Sequence, residues 1–100
     1  MPTKNRINQF DFIEFPAKDV SQLKNVQRFF SNVFGWSYQD WSDDYSDTTS
    51  SGLGSGINAD PEHRPNHPLA VIYTTDLESV REKVVAAGGI ITKDIFSFPG

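Results

Sequence analysis

Apolar positions in this chain follow two patterns, a strand-like stretch and then a helical repeat, and the pair of patterns occurs twice in the same order. Phe10, Phe12 and Glu14 fall on one side of an alternating stretch and Gln9, Asp11, Ile13 and Phe15 on the other, which predicts a strand over residues 7–15 closed by Pro16. Leu23, Val26, Phe29, Phe30, Val33 and Phe34 follow at helical spacing. They predict a helix over residues 21–34, N-capped by Asp19 or Ser21 and ended by Gly35, where positive φ is cheap. Phe29, Phe30, Val33 and Phe34 read as core. Fifty-seven positions after Phe12, Leu69-Ala-Val-Ile-Tyr-Thr-Thr-Asp76 opens the second round. It predicts a strand over residues 69–74 and a capping box at Thr75-x-x-Glu78. A helix follows that buries Leu77, Val80, Val84 and Ala87 and ends at Gly88-Gly89.

Between the two rounds, residues 36–41 alternate as a strand with aromatic residues on both faces, and Ser42-Asp-Asp reads as a turn. Residues 45–51 and 52–57 read as two further strands. Residues 58–68 carry three prolines and two histidines and read as a linker. Residues 90–98 have the pattern of a final strand. The first round is therefore strand–helix–three strands, and the second stops two strands short, leaving an apolar edge in need of cover. The expectation is one α+β domain over residues 1–100, with halves at about 7–58 and 69–100. Its curved mixed sheet would hold a pseudo-twofold cleft between two βαβββ-type modules, the second lacking its last strands at the C-terminal end.

Composition narrows the partners. Eight Phe and two Trp supply much burial area from few residues. A net charge of −4 with scattered Lys and Arg argues against nucleic acid. The absence of cysteine removes disulfides, thiolate metal sites and a catalytic Cys. With neither a signal-peptide pattern nor a long apolar run, the expectation is a soluble cytoplasmic protein with no membrane partner.

The pieces Phe12-Ile-Glu-Phe-Pro-Ala-Lys-Asp, Val33-Phe-Gly-Trp36, Gly52-Leu-Gly-Ser-Gly-Ile-Asn58 and Leu69-Ala-Val-Ile-Tyr-Thr-Thr-Asp76, taken in order, resemble the glyoxalase/bleomycin-resistance/dioxygenase (vicinal oxygen chelate) superfamily. The resemblance runs from Ile7 to Gly100. It implies the paired-module fold and one of several activities: lyase, isomerase, dioxygenase or non-catalytic drug binding. It also implies homodimers with paired or exchanged modules. Family enzymes hold a divalent metal through matched positions of the two halves, which here are Phe12 and Leu69, neither able to ligate. No His, Glu or Asp stands at residues 54–57, and the last strand that would carry a carboxylate ligand is missing. The expectation is no metal and no other cofactor.

The strand pattern points Glu14 into the cleft. There it would anchor a cationic or hydroxyl-bearing ligand or act as a base, or else be a buried carboxylate satisfied by a neighbour, with Tyr73 as the expected partner. Phe10, Phe12, Tyr38 and Trp36 or Trp41, with Leu69, Val71 and Tyr73 facing them, form an expected aromatic cup for a small organic ligand, core packing being the plainer reading. His63-x-x-x-His67 has a metal-binding spacing, but its prolines forbid a regular helix. Gly52-x-Gly54-x-Gly56 is not the dinucleotide fingerprint. Asp40, Asp43, Asp44 and Asp47 lack the Gly and Glu of a calcium loop, and the loop histidines make no Ser-His-Asp arrangement. The leading expectation is a metal-independent small-molecule binder. The alternatives are a lyase or isomerase, metal-dependent or with Glu14 as base, and a structural module with a collapsed pocket.

Overall fold

Both predicted rounds of strand and helix form. In the computed structural model, which describes residues 7–97, the elements run β1 (Phe10–Pro16), α1 (Val20–Phe34), β2 (Gln39–Ser42), β3 (Tyr45–Thr48), β4 (Gly54–Asn58), β5 (Leu69–Ile72) and α2 (Leu77–Ala86). They make an α+β fold with one five-stranded sheet of order β2-β3-β4-β1-β5. β1 runs parallel to β4 and antiparallel to β5, and the hairpins β2–β3 and β3–β4 are antiparallel, so the sheet is mixed. The parallel pair is the product of α1, which carries the chain across one face before β4 returns beside β1.

α1 is held at both ends as its sequence predicts. Asp19, in extended conformation, is the N-cap and accepts from the Gln22 N–H at 2.8 Å. Gly35 takes φ 75° and donates its N–H to the Ser31 carbonyl. Leu23 is fully buried among Ala17, Ile57 and Ala59, with Val26 and Tyr38 packed against them. Beyond Val26 the stripe loses its cover, because the sheet there offers polar side chains: Gln27 of α1 donates to Asp40 at 2.7 Å and to Ser46. Phe29, Val33 and Phe34, expected in the core, are more than half exposed. The aromatic residues pack on one another instead, Phe30 stacking on Trp36 at 4.7 Å between centroids.

Four further expectations change. The strand expected from Trp36 begins only at Gln39, because the preceding backbone is held by side chains: Ser31 Oγ donates to the Trp36 carbonyl and Thr48 Oγ1 to that of Ser37. α2 is capped one residue later than its capping box suggests, Asp76 accepting from the Ser79 N–H at 3.0 Å. None of its residues is buried, and Leu77 and Val84 lie exposed. Residues 90–97 form no strand, and Ile90 is 84% exposed. A strand needs a neighbour for its backbone groups, and none stands beside this segment among the described residues; Phe98 lies outside them.

The register of β1 against β5 ties the two rounds together. Ile13 pairs with Ala70, the residue fifty-seven positions on, while Phe12 pairs with Val71 and Glu14 with Leu69. The pairing is thus symmetric about Ile13 and Ala70. The radius of gyration, 14.6 Å, exceeds the roughly 13 Å expected for this length, in keeping with a small core.

Candidate functional site

Residues opposite one another in a sheet share a face, and successive residues alternate between faces. Applied to the observed registers, this sorts the strands cleanly. Phe12, Glu14, Gly54, Gly56, Asn58, Tyr45, Asp47, Leu69 and Val71 share one face. Ile13, Phe15, Ser55, Ile57 and Ser46 share the other, which α1 covers through Leu23 and Gln27. On the first face Glu14, Tyr45 and Val71 are half-buried and Leu69 is exposed, whereas Phe12, Asp47 and Asn58 are buried; α1 lies on the opposite face. The accessible part of this face, around Glu14, is the candidate site.

Glu14 is its centre. Asn58, at the end of β4, donates its amide to the Glu14 carboxylate at 3.3 Å, and the Tyr45 hydroxyl bonds to the same carboxylate. Burial raises the Glu14 pKa above the ordinary carboxylate value, and these two donors only partly offset it. The phenol of Tyr45 is pushed strongly upward, first by its own burial and then by the charges of Glu14 and Asp47, so it stays a hydrogen-bond donor. Gly56 makes the convergence possible. A β-carbon there would stand 2.6 Å from the Tyr45 hydroxyl and 3.0 Å from the tip of the Phe12 ring, so both rings reach across bare backbone beside Glu14. Trp41 closes the far side, its indole N–H donating to Asp47 at 2.9 Å.

Of the residues expected to form the cup, the sheet brings together Phe12, Glu14, Leu69 and Val71, and Trp41 joins them through Asp47. Phe10 does not share their face. The register shifts between Phe10 and Phe12, leaving Asp11 as an extra residue, and Phe10 pairs with Ile72, whose side chain alternates away from Val71. Tyr38 packs with Leu23 and Ile57 beneath α1, and Trp36 stacks on Phe30 of the same helix. Tyr73 cannot serve as the partner of Glu14. It lies four residues beyond Leu69, about 13 Å along the strand, and its backbone bonds to Asn8 and Gln9. Tyr45, Asp47, Gly56 and Asn58 were not singled out for this face by the sequence. Their alternation was visible, but which face each joins follows only from the β1–β4 and β3–β4 registers.

The positions matched to a metal site do not fit one. Phe12 and Leu69 carry no lone pair, and residues 54–57 present glycine, serine and isoleucine. Among the described residues, no three His, Asp or Glu side chains gather closely enough to hold a metal ion. The two histidines stay in the linker: His63 bonds to Asp60 at 2.7 Å and His67 to the Pro68 carbonyl. That linker is pinned by Arg64, which donates to the carbonyls of Ala17 and Lys18. Among the described residues no helix is long and apolar enough to cross a membrane. The chain matches no protein-family model and no curated protein sequence.

Proposed function

We propose that this chain is a metal-independent small-molecule-binding protein of the glyoxalase/bleomycin-resistance type, taking its ligand on the accessible part of the sheet face around Glu14. The observation that carries the proposal is the convergence of Phe12, Tyr45 and Glu14 over Gly56, with Leu69 and Val71 beside them. An apolar and aromatic floor with a few placed polar groups is the usual make-up of such sites. The module reading is supported by the strand order and by a β1–β5 register symmetric about the fifty-seven-residue repeat. Lack of lone pairs at Phe12 and Leu69 supports a reading without metal. A homodimer, with strands paired or exchanged between copies in the cytoplasm, is part of the proposal. In its support, β5 bonds to β1 alone among the described strands, and Ile90, Ile95 and Phe96 are exposed.

The test is a thermal-shift and amide chemical-shift screen against flat aromatic ligands. Saturable shifts at Phe12, Glu14, Tyr45 and Val71 are expected, with a rise in midpoint that grows with ligand concentration. A screen in which every binder maps to the α1 side, near Tyr38, would overturn the reading. One observation favours the second reading, a lyase or isomerase: burial raises the Glu14 pKa, the direction that makes a carboxylate a stronger base. Metal at one equivalent per chain in purified protein, or turnover abolished by Glu14→Gln, would establish it instead.

A further inference from the structure

We propose that the ligand of the Glu14 face is an organic cation, an amine whose ammonium group rests on the Glu14 carboxylate while its apolar body lies along Leu69 and Val71. This rests on the binding reading above and names the chemistry of what is bound.

The first ground is the kind of partners Glu14 has. Asn58 and Tyr45 are both neutral donors, so they disperse the carboxylate charge without cancelling it. Among the described residues no cation pairs with Glu14, and several are engaged elsewhere. Lys24 bonds to Asp40 at 3.1 Å beneath α1, Arg64 to the carbonyls of Ala17 and Lys18, and Arg81 to Asp94 at 3.1 Å. Lys93 sits over the Phe96 ring.

The second ground is the surroundings. Glu14 stands opposite Leu69 on one flank and Gly56 on the other, with Phe12 and Val71 two residues along their strands. These side chains withdraw water from the carboxylate without offering it a bond. A charge in such a place gains more from an ion than from a neutral hydroxyl, since charge-assisted bonds are about twice as strong as neutral ones. The half-buried Tyr45 ring, beside it over Gly56, suits the same ligand. An aromatic face attracts an ammonium or its alkyl groups, and the exposed Leu69 with the half-buried Val71 supplies an apolar wall. An anionic ligand would instead meet a carboxylate that lacks a counter-ion among the described residues.

Three probes of similar shape separate the possibilities: benzylamine, benzyl alcohol and benzoate, each titrated into the intact chain and followed by amide shifts. Benzylamine is expected to give saturable shifts at Phe12, Glu14 and Val71, benzyl alcohol to bind about ten-fold more weakly, and benzoate to leave these amides unmoved. Glu14→Gln should lower benzylamine affinity about ten-fold, and Glu14→Asp should restore part of it. If the glutamine variant does not fold, the intact protein still decides: added salt should weaken benzylamine binding and leave benzyl alcohol binding unchanged. Equal affinities for amine and alcohol, or a salt-independent amine, would overturn the cation and leave the binding face standing. No shift at these amides from any probe, or from the wider aromatic screen, would remove the binding face as well.

Discussion

The hydroxyl oxygen of Tyr45 lies 2.6 Å from the point where a β-carbon on Gly56 would stand. Glycine is therefore needed at this position for space, and Tyr45 reaches Glu14 only because the space is there. Gly56→Ala forces the phenol and the Phe12 ring apart, and overpacking of this kind costs about 1–3 kcal/mol. Tyr45→Phe removes the nearest atom, so adding Gly56→Ala in that background should cost less. Urea denaturation of the four species measures the difference. Equal costs in both backgrounds would show that the hydroxyl is not the obstacle.

Glu14 gives a pH dependence with a defined sign. Its folded-state pKa is raised above the ordinary 4.5, chiefly by burial, so across the window from 4.5 upward the folded chain holds a proton that the unfolded chain has released. Stability contributed by this residue is present below that window and lost as pH climbs through it. Glu14→Gln removes the titration. Thermal midpoints of the two proteins, compared from pH 4 to pH 7, should diverge with the glutamine variant losing less as pH rises. A wild-type chain that gains on the variant with rising pH would contradict the assignment.

Burial predicts a sharp contrast between the two helices. Leu23 of α1 is fully buried among Ala17, Ile57 and Ala59. Leu23→Ala should cost about 2–5 kcal/mol, as core truncations of leucine do. Val84 of α2 is exposed, so Val84→Ala should change stability by under about 0.5 kcal/mol. Chemical denaturation of both variants checks the pair. A large loss from Val84→Ala would mean that α2 is covered in solution, by a second copy for example, and dilution of the protein should then reduce that loss.

The caps extend the contrast to local stability. Asp19 and Asp76 each accept a backbone N–H three residues on. Replacing either by alanine removes about 1 kcal/mol of helix stability. Only Asp19→Ala should lower the global unfolding free energy, because α1 alone holds a buried side chain. Asp76→Ala should speed amide exchange within α2 and leave the global transition in place.

Much of the local structure was legible in the chain. Asp19 and Gly35 bracket α1 because capping and positive φ depend on the residue and its immediate neighbours. The short apolar run in residues 69–74 marks β5, formed over Leu69–Ile72, for the same reason. The expected strand over residues 90–98 does not form over its described part, residues 90–97, on a different kind of fact: its pattern is right for a strand, but a strand exists only beside another. The stripe of α1 failed likewise, its periodicity being correct while Asp40 and Ser46 stand where an apolar floor was expected.

The site divides along the same line. Sequence alone placed Phe12, Glu14, Leu69 and Val71 on matching faces, since a period of two and a repeat of fifty-seven residues are both written in the order of residues. Which other side chains meet them was decided by pairing between distant segments. The parallel register of β1 with β4 set Gly56 beside Glu14, the β3–β4 hairpin brought Tyr45 over it, and one extra residue at Asp11 turned Phe10 away. Hydrogen-bonded registers form between strands far apart in the chain, where a shift of one residue exchanges the two faces, and no local spacing reveals which register is chosen.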